Sequence, residues 1–260
     1  ASSGLSMLKR AREQLQNPVQ ILDGLMGDTV RLASETRTLA TASTGLLAPG
    51  EGSSPAPAWL DSEYLADDQD EIAERGAELD AKLTAGLEQE GPGLEPEQQR
   101  LLEQLRAAQP HLGDATEELV AGSFALREQQ LVEAGNAQAR ALAALAEARE
   151  QFLDLKGLIE VAHADEKRIA SVFDEAEANP ELELGEYAPS LQRLQQRNLD
   201  RAQRMGSMVD AMAEQLANSP PEEAEGAEAE AKRLELAEGI LALSESSMRS
   251  ALESLGRLSQ

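Results

Sequence analysis

The chain has 260 residues, 48 Asp+Glu against 23 Lys+Arg and a net charge of -25, with two histidines and no cysteine. Lack of cysteine excludes a disulfide framework, a zinc ribbon, an iron–sulfur cluster and a thiol nucleophile, and so large an acidic excess repels phosphate backbones, which argues against nucleic acid. Aromatic residues make up 2% of the chain, so the 41% apolar fraction rests on Leu, Ala and Met, which favour helix over strand.

The charge is uneven. Residues 1–50 carry Lys9, Arg10, Arg12, Arg31 and Arg37 against Glu13, Asp23, Asp28 and Glu35, a net +1 that leaves -26 for the rest. No run approaches the roughly 18 apolar residues of a membrane span. The opening Ala-Ser-Ser-Gly reads as a mature or trimmed terminus, which leaves open a membrane tether upstream of residue 1. A cysteine-free chain suits the periplasm as well as a reduced cytosol. Salt adaptation would also account for the acidity without any function.

Asn17-Pro18 reads as a helix cap followed by proline in the first turn, and Leu25, Leu32, Leu39 and Leu46 recur every seven residues. The spacing predicts a helix ending near Leu47, before a Pro/Gly/Ser-rich loop over 48–60. Asp61 then caps a second helix carrying Leu65, Ile72, Leu79, Leu83 and Leu87, which Glu90-Gly-Pro-Gly93 stops. A third begins at Glu95-Pro96, presents Leu101, Leu105, Ala108, Leu112, Ala115 and Leu119 on one face, is kinked at Pro110, and turns at Gly122-Ser123. The fourth is expected to run unbroken from Phe124 to Ala178, about 80 Å. Beyond Asn179-Pro180, a fifth helix follows Ala188-Pro189 with the seam Leu191, Leu194, Asn198, Arg201, Met205, Met208, Met212, Leu216. A sixth follows an acidic entry from Glu222 to Glu230, with Leu234, Ala237, Leu241, Ser244, Met248, Ala251, Leu255 and Leu258 at a/d spacing.

Long amphipathic segments joined by short polar loops predict an all-α fold, an elongated antiparallel helical bundle or stacked helical hairpins with coiled-coil-like packing. The expected parts are an N-terminal helical segment (1–47), the loop (48–60), central hairpins (61–178) and a C-terminal hairpin (179–260), packed as one elongated domain. Alanines from Ala139 to Ala148 favour close helix approach. A tetratricopeptide solenoid fits Gly122 but not the aromatic positions around it.

Chemistry-bearing motifs are few. Glu160-Val-Ala-His163 puts two metal-ligating side chains on one helix face, but a di-iron bundle needs a second such motif, and the other histidine, His111, has no glutamate three residues before it. Pairing of His163 with Glu160, Glu166 or Lys167 is the plainer reading. Asp67-Asp68-Gln69-Asp70-Glu71 lacks the spacing of a calcium loop. There is no Gly-x-Ser-x-Gly elbow and no phosphate loop. The sequence therefore points to a non-enzyme with no cofactor. Met205, Met208 and Met212, with Met248, form a methionine seam that suits a partner helix, although such a stripe is more often bundle core. Trp59, with Tyr64, is a docking aromatic or an anchor for the loop, and Asn198 and Arg201 are candidates for fixing helix register.

Three stretches carry a family resemblance: Gln69-Asp-Glu-Ile-Ala-Glu-Arg75, Leu112-Gly-Asp-Ala-Thr-Glu-Glu-Leu-Val-Ala-Gly122 and Ala141-Leu-Ala-Ala-Leu-Ala-Glu-Ala-Arg-Glu-Gln-Phe152. Over 69–173 the chain resembles helical extracytoplasmic segments of bacterial membrane-associated proteins that accompany MoxR-type ATPases and von Willebrand factor A-domain proteins. The resemblance carries no catalytic residues and implies an envelope location and a protein partner, a von Willebrand factor A-domain or another envelope protein. The expected function is a helical scaffold or protein-interaction domain at the periplasmic or extracytoplasmic face of the membrane, with self-association and a cytoplasmic location left open. A ligand- or metal-sensing bundle is the alternative.

Overall fold

The structure is a computed structural model that describes residues 18–43, 57, 59–88, 96–179, 183–218 and 227–258, without the side chains of 96–97 and 227–228. Seven helices are present among the described residues: α1 Pro18–Ser43, α2 Ser62–Glu88, α3 Pro96–Arg127, α4 Leu131–Glu150, α5 Leu155–Ala178, α6 Leu184–Ala217 and α7 Ala227–Leu258. The fold is all-α, as the heptad spacing predicts. The chain divides into two units, residues 1–152 and 153–260, so the boundary lies inside the stretch read as central hairpins over 61–178.

In the first unit α1 packs on α2, α2 on α3, α3 on α4 and α4 back on α1, a closed ring of four antiparallel helices. The directions follow from cross-helix pairs: Arg149 with Asp23 and Gln138 with Thr36 join α4 to α1, while Gln109 with Thr84 and Arg127 with Asp70 join α3 to α2. Each helix buries one seam spaced alternately by three and four residues. On α1 it is Leu22, Leu25, Thr29, Leu32 and Thr36, and on α3 it is Leu105, Ala108, Leu112, Ala115, Leu119 and Leu126. Each fully buried leucine contributes about 2 kcal/mol relative to an exposed one. The alanines of α4, Ala134, Ala141 and Ala148, contribute less but let neighbours approach closely.

A polar layer crosses this core. Gln138 Nε2 donates to Thr36 Oγ1 at 3.0 Å and to Gln69 Oε1 at 2.8 Å, and Gln69 Nε2 donates to the Leu119 carbonyl at 2.7 Å, so one chain of bonds ties all four helices. Gln138 Oε1 is buried with no hydrogen-bond partner. Gly122 sits beside Leu119's turn because any Cβ there would run into the Gln69 amide.

In the second unit α6 packs on both α5 and α7. Leu158, Ala202 and Met205 form one apolar cluster, and Ile169, Leu191, Leu194 and Leu255 form another. Between them lies a buried polar patch. Arg201 Nη1 donates to Asp165 Oδ2 at 2.7 Å and to Asn198 Oδ1 at 2.6 Å, and Asn198 Nδ2 donates to Glu166 Oε1 at 2.9 Å.

Three expectations are corrected. The helix expected from Phe124 to Ala178 is not continuous: Phe124 belongs to α3, which runs through Gly122-Ser123 to Arg127, and α4 and α5 are separate helices. The turn falls at Glu128–Gln130, where Gln129 takes φ 59° and the N–H groups of Gln130 and Gln129 donate back to the carbonyls of Ala125 and Leu126. This is a Schellman stop built on glutamine, not glycine. The second break, at Gln151–Asp154, is set by Asp154, whose carboxylate accepts from Gly157 N at 2.8 Å and so starts α5. The fifth predicted helix starts at Leu184, ahead of Pro189. Pro189 is its sixth residue, so it forfeits one backbone bond near the helix start, where the leading N–H groups have no intrahelical partner in any helix.

The cap at Asp61 is present, with Oδ1 accepting from Tyr64 N at 2.8 Å. The helix end near Leu47, Leu46, most of the 48–60 loop, Gly91–Gly93, the basic run at Lys9–Arg12 and the start of the acidic entry after Pro221 lie outside the described residues.

Candidate interaction surface

The structure sends the metal-ligating pair to solvent. On α5 the buried line is Leu158, Ala162 and Ile169, which leaves Glu160 and His163 on the outer face, Glu160 3.7 Å from Lys156 across one turn. His111 is on α3, with Nδ1 3.3 Å from Glu147 of α4. Among the described residues no three His, Asp or Glu side chains converge in a way that would hold a metal ion.

The acidic run of α2 meets its own chain's arginines. Asp68 takes Arg31 of α1 at 2.7 Å, while Asp70 and Asp67 take Arg127 of α3 at 2.5 and 3.4 Å. Burial raises the Asp70 pKa, but hydrogen bonds from Arg127 and Ser123 and the arginine's charge outweigh it and hold the carboxyl below its ordinary range. Burial likewise opposes the charge of Arg31, and Asp68 and Glu35 overcome it to hold the guanidinium above its usual pKa. Arg75, almost fully buried, is held by Asp28 at 2.6 Å. These acids are interhelical clamps of the first unit.

Trp59 and Tyr64 form an edge-to-face pair with ring centroids 5.3 Å apart, and both are exposed, while Leu60 between them is the side chain that enters the core. The loop's anchor is Leu60, and the aromatic pair lies on the outside. The methionine seam divides along its length. Met205 is 5% exposed and enclosed by Leu158 and Ala202, Met208 and Met248 pack against that cluster, and Met212 emerges at the surface. Met205 is therefore core, as the plainer reading of the stripe holds. Asn198 and Arg201 are both buried in the polar patch of α5 and α6.

One surface feature lies off the predicted seams. On α7 the seam residues Leu241, Met248 and Leu255 turn toward α6, but Leu236, Ile240 and Leu243 are 65%, 55% and 72% exposed. Their spacing of four and three makes a second apolar line, which Ser247 continues. The signal was in the sequence as a helix apolar on two faces, only one of which a single neighbour can cover. The same side of α7 borders a groove of about 460 Å³ shared with Gln195 of α6 and Glu166 of α5. A second depression on the far side of α7 is polar, with Asp210, Glu238 and Glu253 around the Arg249–Glu245 pair.

Fold and surface together define an all-α helical-bundle protein with an uncovered apolar line. No family model, curated protein or solved structure matches the chain. No helix among the described residues is long and apolar enough to cross a membrane.

Proposed function

We propose that the protein is a non-enzymatic helical scaffold that binds protein partners through an exposed amphipathic face, at the extracytoplasmic side of a bacterial envelope. The observation that carries the reading is the uncovered line of Leu236, Ile240 and Leu243 on a helix whose other face is satisfied by α6. Large apolar side chains in a continuous row on a soluble-type helix favour association, because each one buried in an interface releases about 1.5–3 kcal/mol. Within each unit the heptad-spaced helices offer the packed frame that a helical scaffold needs. The envelope location and a partner of von Willebrand factor A-domain type rest on the resemblance over 69–173.

The test is crosslinking and pull-down from native cells with the full chain, across a range of salt. A protein recovered in stoichiometric amount is the expected result. Recovery of none at any salt concentration overturns the reading.

A further inference from the structure

The geometry points to a specific docking site: the groove between α5 and α7 receives one amphipathic helix of a partner protein, with a Leu-, Ile- or Met-lined stripe and a lysine or arginine near its middle. The inference rests on the interaction reading above and gives it a surface and a partner chemistry.

The first unit shows how this chain closes a bundle, with four helices each covered on both sides. The second unit has three helices among its described residues, and its extensive packing is α5 on α6 and α6 on α7. One side is thus open. Its α7 wall is Ile240, Leu243 and Ser247, its floor is Gln195, and Glu166 stands on the α5 wall. Ile159, Glu166 and Phe173 are seven residues apart on α5, and Ile159 and Phe173 are exposed. Ile240, Leu243, Met248 and Ala251 of α7, together with Gln195 and Glu166, line a slot for a single helix. The α7 residues that line the groove, from Ile240 to Ala251, span 12 residues, so they match an occupant of about three turns, roughly 17 Å.

Charge selects the occupant. Glu166 is fixed by Gln195 Nε2 at 3.1 Å and Asn198 Nδ2 at 2.9 Å, both neutral amides, so its negative charge is held at the groove wall without being neutralised by them. Arg201, the cation of the same patch, is committed to Asp165 and Asn198. Residues 153–260 hold 22 Asp+Glu and 11 Lys+Arg. A second copy would set one Glu166 and one net charge of -11 against another, whereas a helix with a central cation gains at both.

The test uses the full chain and fluorescently labelled 14-residue helical peptides with a Leu stripe and a central lysine, a central glutamate, or a scrambled order. Binding is read by anisotropy. The lysine peptide is expected to bind, the glutamate and scrambled peptides at least tenfold more weakly. Ile240→Asp with Leu243→Asp should abolish binding and Glu166→Gln should weaken it severalfold, with helicity by circular dichroism unchanged because the substituted apolar pair is exposed. Equal binding of all three peptides, or no effect of the substitutions, overturns the proposal. So does sedimentation as a dimer that the Asp pair dissolves, since the occupant is then a second copy. A partner captured from cells equally well by the wild type and the Asp pair would leave the scaffold reading standing and remove this site.

Discussion

Gly122 is where one residue's missing side chain holds a core in place. It lies within α3, where helix propensity alone would favour alanine by about 1 kcal/mol. A Cβ there would collide with the amide of Gln69, which cannot swing away because it is fully buried and bonded to the Leu119 carbonyl and to Gln138. Overpacking of this kind costs about 1–3 kcal/mol, and a strained buried hydrogen bond adds to it. Gly122→Ala is therefore expected to destabilise the first unit by about 1–2 kcal/mol net of the propensity gain. Gly27 is the control: nothing lies within 4 Å of a Cβ placed there, so Gly27→Ala should stabilise by about 0.5–1 kcal/mol. Urea unfolding followed by Trp59, the chain's one tryptophan and part of this unit, measures both. A stabilising Gly122→Ala would mean that Gln69 relaxes freely and the polar layer is loose. The same glycine explains a misplaced turn, because in sequence Gly122-Ser123 looks like a breaker and only the approach of Gln69 from α2 reveals its use.

At the scale of helices, the apolar half of each seam was legible and the polar half was not. Leu25, Leu32, Leu65, Ile72 and Leu79 announce their faces by period alone, and all are buried. Thr29, Thr36, Gln69, Gly76 and Gln138 occupy equivalent positions in the same three-and-four spacing, yet hydropathy assigns them to the surface. What lets them inside is a hydrogen-bond partner that hydropathy does not see: Thr29 turns its hydroxyl back to the Leu25 carbonyl of its own helix, while Gln138 donates across to Thr36 and to Gln69, 69 residues away. The coupling is measurable. Gln69→Leu alone leaves the Gln138 amide with one partner fewer in a dry core, a loss of about 1–3 kcal/mol. Gln138→Leu strands Gln69 in the same way. Because the double replacement removes both needs at once, it is expected to cost at least 1 kcal/mol less than the sum of the singles. Additive values would show that the two side chains do not depend on each other. The helix ends follow the same division, since Asp61 caps α2 as its residue type suggests, while Gln129 in the left-handed region leaves no mark in the sequence.

For the whole molecule, the division at 152/153 hides behind continuous periodicity: Leu145, Ala148, Phe152, Leu155 and Ile159 keep helical spacing through the four-residue break, and only the Asp154–Gly157 cap marks it. The candidate docking groove was hidden for a related reason, because the strict a/d line of α7 drew attention from Leu236, Ile240 and Leu243 beside it. Charge, by contrast, was readable from composition, and it carries a prediction for the entire chain. Acids exceed bases in both units, 26 to 12 in residues 1–152 and 22 to 11 in residues 153–260. Salt screens two opposing contributions. It weakens exposed pairs such as Arg140–Glu118 and Arg249–Glu245, each worth at most about 1 kcal/mol, and it relieves the repulsion among acids that outnumber their cations. The best-buried pairs, Arg75–Asp28 and Arg201–Asp165, are least accessible to screening and should persist. Repulsion summed over a net charge of -25 is the larger quantity, so raising NaCl from low ionic strength to about 0.5 M is expected to raise the melting temperature by several degrees. Thermal scans by circular dichroism, with Trp59 fluorescence isolating the first unit, read the effect. A melting temperature that falls with salt would mean that the surface ion pairs, not the excess of acid, dominate the electrostatics of folding.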